Sequence, residues 1–307
     1  MDAQMTPRVA LVPAASEPVA AAVRSAGGQI VDLEDAPDVL VWGDPGDVAG
    51  LVAAVRAAPT ARWVQLPFAG VEGFVEVLDR SRTWTCAKGA YSEPTAEHAL
   101  TLALAGLRQL PARARAMSWG AQGVATLYDA PVVVLGGGGI TASLLELLAP
   151  FRCAVTVVRR SPEHMRGSSR TVRLERLDEM LADALVVVLA LALTPETTHV
   201  IGRRQLAAMS PSAWLVNVAR GRHVDTDALV TALQEGAIGG AALDVTDPEP
   251  LPDGHPLWSL PNCLITPHTA NPWQTAQPLL ARRVYDNVLR FGAGRPLLGT
   301  VDLDAGY

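Results

Sequence analysis

Val132-Val133-Val134-Leu135 runs without a break into Gly136-Gly137-Gly138-Gly139-Ile140-Thr141 and then into Ala142-Ser143-Leu144-Leu145-Glu146-Leu147-Leu148. A buried strand, a glycine turn and an apolar helix in that order leave few folds open, because the turn must lay the helix straight back on the strand. Four consecutive glycines cost chain entropy, so the turn needs a reason. Spaced as Gly136-x-Gly138-x-x-Thr141, it has the form of a pyrophosphate-binding turn. Gly136 makes the tight turn, Gly138 lets the backbone approach a phosphate, and the amides of Gly139 and Ile140 lie at the helix N-terminus. Thr141 stands where a third glycine is usual, and its branched side chain is expected to widen the helix–strand packing.

The rest of the chain repeats the pattern. Strands are predicted at Val9–Val12, Gln29–Asp32, Val39–Trp42, Trp63–Leu66 and Trp84–Cys86, with helices at Glu17–Ala26, at Asp47–Ala57 and within Gly73–Arg80. A long helical stretch, Thr95 to Leu110, is expected to end at Pro111. A second series follows at Val132–Leu135, Ala154–Val158, Leu185–Leu189, Trp214–Val218, Ala241–Leu243 and Cys263–Thr266. Alternation of this kind predicts an α/β fold with doubly wound parallel sheets. Leu280, Val284, Val288 and Phe291 mark one face of a closing helix, stopped by Gly292, that packs back on the first domain. The domains expected are therefore 1–94 completed by 275–307, and 95–274 inserted between them, with a ligand in the crevice between the two.

Composition narrows the function. Hydrophobic residues make up 49% of the 307 and charged residues 18%, enough for packed cores and too apolar for a disordered chain. A net charge of −6 argues against a nucleic-acid partner. The longest apolar run, Ala184 to Leu193, is too short to span a bilayer, and Met1 to Pro13 has no apolar signal core, so a cytoplasmic protein is expected. Cys86, Cys153 and Cys263 are far apart and read as reduced thiols, with no metal site.

Strand Ala154–Val158 ends in Arg159-Arg160-Ser161. An acidic residue about 20 positions past such a glycine turn would hold the ribose 2′-hydroxyl of NAD, whereas arginine suits the 2′-phosphate of NADP. NADP is therefore the expected cofactor, with NAD possible. Three further strand ends carry candidate chemistry: Asn217-Val218-Ala219-Arg220-Gly221, Asp244-Val245-Thr246-Asp247-Pro248-Glu249-Pro250, and Thr266-Pro267-His268. Arg220 could fork onto a carboxylate, Glu249 is fixed between prolines, and His268 follows a proline that stiffens its loop. His98, His164, His199, His223 and His255 read as structural, Asp225 as a helix N-cap, Asp247 as a turn residue, and Trp119, Trp258 and Trp273 as packing.

In this order the segments resemble the D-isomer-specific 2-hydroxyacid dehydrogenase family, which includes phosphoglycerate, glyoxylate and hydroxypyruvate reductases. The resemblance runs over nearly the whole chain. It takes in Leu66-Pro67-Phe68-Ala69-Gly70-Val71, Thr95-Ala96-Glu97-His98, Gly136 to Ile140, Leu193-Thr194-Pro195-Glu196-Thr197, Asn217 to Gly221, Asp244 to Pro250, Thr266 to His268, and the ending from Val301-Asp302 to Gly306-Tyr307. It implies a Rossmann cofactor domain inserted into a flavodoxin-like substrate domain, a homodimer, and reversible NAD(P)H-dependent reduction of a 2-oxo acid to a D-2-hydroxy acid. On this resemblance Arg220, Glu249 and His268 are the catalytic set, with His268 the proton donor. Asp244 meets the nicotinamide carboxamide. Gly136, Gly138, Gly139, Ile140, Arg159, Arg160, Ser161, Thr194, Pro195, Thr197, Val218 and Ala219 hold the cofactor. Ala69, Gly70 and Val71 join Arg220 on the substrate. The departures are Thr141 for glycine and Arg159 for the more usual acidic residue. Glu249 counts against the related formate dehydrogenases, which carry glutamine there. The alternatives are a short form of phosphoglycerate dehydrogenase and a nucleotide-sensing binding protein, the latter separated by whether any 2-oxo acid is turned over.

Overall fold

The computed structural model describes residues 5–306 except 15, 45, 121 and 122; Tyr307, the last residue of the resembling C-terminal segment, and the first four residues lie outside the described residues. The chain divides into two compact units, one running up to Tyr91 and resuming at Pro272, the other spanning Ser92–Asn271. These borders fall slightly ahead of 94/95 and 274/275 because one helix begins at Ser92 and another at Trp273.

In the first unit, strands β1 (Arg8–Val12), β2 (Gln29–Ile30), β3 (Val39–Trp42), β4 (Trp63–Gln65) and β5 (Thr83–Thr85) form a parallel sheet in the order β2-β1-β3-β4-β5. That is the flavodoxin-like order. Successive side chains of a strand point to opposite faces, and β3 shows it. Val39 and Val41 pack with α1 (Glu17–Ser25) and the closing helix, here α9 (Trp273–Gly292), through Val19, Val23, Leu280, Val284 and Val288. Leu40 and Trp42 pack on the other face with Leu51 and Ala54 of α2 (Val48–Ala57). The helix expected within Gly73–Arg80 is only a 3-10 turn, Val75–Val77.

In the second unit, β6 (Pro131–Leu135), β7 (Ala154–Val158), β8 (Arg170–Val172), β9 (Val186–Leu189), β10 (Trp214–Asn217), β11 (Gly240–Leu243) and β12 (Cys263–Ile265) form a parallel sheet ordered β12-β11-β10-β9-β6-β7-β8. This is the Rossmann order extended by one strand. Both faces are covered, so the central strands are apolar throughout. Val132 and Val134 face the helices α3 (Ser92–Leu107) and α5 (Gly139–Leu148), while Val133 and Leu135 face α6 (Leu177–Leu181), α7 (Arg203–Ala208) and α8 (Thr226–Gln234). The apolar side of α3 is thus used inside its own unit.

Three expectations need correction here. Helix α3 stops at Leu107, not Leu110; Gln109 turns left-handed, and Pro111 opens a short helix α4 (Leu110–Ala114) instead of ending a long one. Proline suits that position because a first-turn N–H has no helical partner anyway. Strand β8 was not foreseen, being a short edge strand with a polar first half. Trp119 is 93% exposed and Trp258 is also exposed, against the packing role expected of them, whereas Trp273, though partly exposed, does pack, edge-on against Phe68 with ring centroids 6.3 Å apart. No helix among the described residues is long and apolar enough to cross a membrane.

Because all seven strands of the second unit are parallel, their carboxyl ends share one edge. Six of those ends carry the segments singled out by sequence: Arg159 after β7, Gly136 after β6, Thr194 beyond β9, Val218 to Arg220 after β10, Asp244 after β11 and Thr266 after β12. Between β6 and β9 the strand order reverses, the place where open α/β sheets bind ligands.

Candidate active site

The turn after β6 is tight at its start and open at its middle. Gly136 has φ +110°, and a Cβ there would lie 2.1 Å from the carbonyl oxygen of Ala190, so only glycine fits. A Cβ on Gly138 would meet nothing within 4 Å: the space in front of the N-terminus of α5 is left open. Gly139 and Ile140 are the first residues of that helix, whose unpaired amides favour an anion. Thr141 is fully buried, and its hydroxyl donates to the Gly136 carbonyl at 3.0 Å, tying helix to turn. The branched side chain read as a source of slack is a brace. Arg159 is half-buried beside this turn, Arg160 is exposed and Ser161 half-buried.

On the other side of β6, Thr194 caps the 3-10 turn Pro195–Thr197, and the Thr197 hydroxyl bonds the Thr194 amide at 2.8 Å and the Ala192 carbonyl at 2.8 Å. His223, fully buried, sets its two ring nitrogens 3.2 Å and 3.1 Å from the carbonyls of Thr197 and Leu191, bolting this loop to the segment that follows Arg220. It is structural, as the sequence reading has it, and so is Asp225, which caps α8 through the Ala228 amide.

Arg220 is fixed from below. The buried Asn217 side chain donates to the Arg220 carbonyl at 2.8 Å and accepts from the Ala219 amide at 3.0 Å, closing a small ring around buried Val218 and Ala219. The guanidinium donates to the Ala219 carbonyl at 2.7 Å. Gly221 then packs on the β11 loop so closely that a Cβ would fall 1.9 Å from the Thr246 carbonyl oxygen. A side chain at Gly221 would push the arginine away from the loop that carries Glu249.

His268 Nδ1 and Glu249 Oε1 are 2.6 Å apart, the short distance of a charge-assisted hydrogen bond, with both side chains about half exposed (51% and 41%). That bond raises the His268 pKa above its ordinary value; partial burial and the positive Arg220 oppose the shift without cancelling it. Glu249 is lowered, chiefly by the same bond. His268 is held in the left-handed region, φ 51°, and its amide is fixed by the Asp244 carbonyl at 2.8 Å and the Thr266 carbonyl at 3.0 Å. Such a conformation persists where its surroundings over-determine it.

Asp244 supplies those surroundings. Its side chain is 1% exposed. Oδ1 accepts from the Thr269 amide at 2.8 Å and the Thr266 hydroxyl at 2.5 Å, and Oδ2 from the Ala270 amide at 2.9 Å. His98 Nε2 lies 3.2 Å from Oδ1 and 3.0 Å from the Thr266 hydroxyl. Burial alone would raise this carboxyl, but the hydrogen bonds from His98, Thr266, Thr269 and Ala270 outweigh it and hold the pKa at about 2. Asp244 thus anchors the whole turn from Thr266 to Ala270.

Arg220, Glu249 and His268 are therefore brought together, with Asp244 beneath them. His98, read as structural, braces Asp244 and Thr266; the sequence reading does not foresee that contact, its only signal being the Thr95–His98 segment. Ala69, Gly70 and Val71 lie in the loop after β4, in the other unit.

The profile for the NAD-binding domain of the D-isomer specific 2-hydroxyacid dehydrogenases matches residues 98–270, more than half of the chain. An uncharacterised protein of Corynebacterium melassecola, from the region 3′ of proB, is 37% identical over 93% of this chain and 95% of its own length. A glyoxylate reductase of Thermococcus gammatolerans is 34% identical over 65% of this chain; the match spans 63% of that enzyme. Among solved structures, a D-isomer specific 2-hydroxyacid dehydrogenase of Xanthobacter autotrophicus Py2, in complex with NADPH and MES, superposes with a TM-score of 0.85 at 29% identity, over 99% of this chain and 100% of that one. With a Rossmann sheet, a glycine turn, and an arginine, a glutamate and a histidine gathered at its carboxyl edge, the chain belongs to the D-isomer specific 2-hydroxyacid dehydrogenase family.

Proposed function

We propose that the protein reduces a 2-oxo acid to a D-2-hydroxy acid, with NADPH preferred over NADH. The observation that carries this is the 2.6 Å His268–Glu249 pair within the field of Arg220. A histidine whose protonated form is stabilised, facing a fixed guanidinium, suits an oxygen that gains negative charge as a carbonyl is reduced. When bound, the reduced nicotinamide supplies the hydride to the keto carbon. Arg220 binds the substrate carboxylate and polarises the carbonyl. His268 gives its proton to the carbonyl oxygen as the hydride arrives, so the two electrons and the proton complete the alcohol. Glu249 keeps the imidazole oriented and charged until that step. On the family resemblance alone, the Ala69–Val71 amides of the first unit are further candidates for holding the substrate.

The residues fit a dinucleotide. The open space at Gly138 and the amides of α5 suit its pyrophosphate, and Arg159, with Arg160 and Ser161 following, suits a 2′-phosphate. The Xanthobacter relative holds NADPH, which supports the same preference here, and the Thermococcus relative is a glyoxylate reductase, which makes small 2-oxo acids the first substrates to try. The test is oxidation of NADPH and NADH at 340 nm with glyoxylate, hydroxypyruvate, pyruvate, phenylpyruvate and 2-ketoisocaproate. Turnover with NADPH favoured is expected. Silence across the panel with nucleotide still bound would make the protein a nucleotide-binding relative without this activity.

A further inference from the structure

A turn of the form G-x-G leaves its middle residue free to be anything, yet Gly137 occupies that position. Its backbone does not demand glycine, since φ there is not positive. What excludes a side chain is Arg159. A Cβ on Gly137 would lie 2.6 Å from Cδ, 2.8 Å from Nε and 3.1 Å from Cζ of that arginine. Strands β6 and β7 pair in register, Leu135 opposite Val158, so Gly136 and Arg159 leave the sheet level with one another. The Arg159 amide is held by the Val172 carbonyl of β8 at 3.0 Å. From that fixed start the arginine side chain lies across the turn and fills the volume a residue at 137 would take.

We propose that Gly137 is a positioning residue for cofactor choice: its missing side chain is the seat that holds Arg159 beside the phosphate turn. The inference rests on Arg159 being the group that meets the 2′-phosphate. An arginine loses much side-chain freedom when it is fixed, and one already seated loses less on binding. The glycine therefore favours the phosphorylated dinucleotide without touching it.

The test uses the whole protein and no substrate. Wild type, Gly137→Ala, Arg159→Ala and the double variant are titrated with NADPH and, separately, with NADH, followed by nicotinamide fluorescence. Gly137→Ala is expected to weaken NADPH binding about tenfold, the scale of one charge-assisted hydrogen bond, and to leave NADH within about twofold. The double variant is expected to bind NADPH no more weakly than Arg159→Ala alone, because the two changes remove one interaction. The atoms displaced belong to a flexible side chain, and retained NADH affinity reports an intact turn. Equal weakening of both dinucleotides, an unchanged NADPH to NADH ratio in Gly137→Ala, or additive losses in the double variant would overturn the proposal. A wild type that binds NADH as tightly as NADPH overturns the reading of Arg159 and this inference with it. A wild-type preference left undiminished by Gly137→Ala overturns this inference alone.

Discussion

Asp244 and Glu249 stand on the same loop after β11 and use a carboxylate in opposite ways. Asp244 is sealed from solvent, and its oxygens are taken up by two backbone amides, a hydroxyl and a histidine. Glu249 is 41% exposed and makes one short bond, to the imidazole it faces. The first fixes where the His268 turn sits; the second sets how readily His268 keeps its proton. Position and protonation are thus assigned to different carboxylates. Damage to the lower one should disturb stability and rate together, whereas damage to the upper one should disturb rate and pH dependence alone.

The largest effect is expected at the group both carboxylates serve. His268→Ala should lose about 10²- to 10⁴-fold in reduction rate, the usual share of a positioned acid, while NADPH titration shows nucleotide binding kept. Near-normal turnover would remove His268 from the acid role. Arg220→Ala should cost about 10²- to 10³-fold in kcat/KM, the scale of losing one fixed charge stabiliser; a loss under about tenfold would contradict it. Both variants should melt close to wild type.

Asp244→Ala should separate the two carboxylates by stability. It leaves the part-buried amides of Thr269 and Ala270 and the Thr266 hydroxyl without their acceptor, each bond worth about 1 kcal/mol, so urea melts should show a loss of about 3 kcal/mol, with activity falling as well. Its pKa of about 2 lies below the ordinary 3.8, so its contribution is complete above 3.8 and fades as the pH falls toward 2. Wild type should lose stability over that window, and Asp244→Ala should lack that part of the slope. Glu249→Gln, half exposed, should leave the melt nearly unchanged. Equal destabilisation by the two substitutions would erase the distinction.

Much of this was legible in the sequence. Continuous valine and leucine runs mark strands covered on both faces, and β3, β7 and the Leu280–Val288 face of α9 follow directly from local pattern. The glycine turn, Arg220, Glu249 and His268 could be singled out as candidates because each stands at a strand end, while their roles came from the family resemblance alone. What was not legible depends on distant partners. His98 reaches Asp244 and Thr266 from α3, and no local spacing encodes that contact. Gly221 makes sense only once Thr246 is seen against it, and Thr141 only once its hydroxyl is seen on Gly136. Pro111 ends a helix or begins one depending on whether the chain has already turned at Gln109.

The chemistry proposed for this site turns on Glu249 holding the His268 proton. The most direct measurement is the pH profile of kcat/KM for 2-oxo acid reduction at saturating NADPH, in wild type and in Glu249→Gln. Glu249 raises the His268 pKa above the ordinary 6.5, so in wild type the proton-donating form persists to higher pH and activity falls as pH rises through that raised value. Without the carboxylate the alkaline fall should move to lower pH, with the variant closest to wild type at the acid end. Superimposable alkaline limbs would contradict the account.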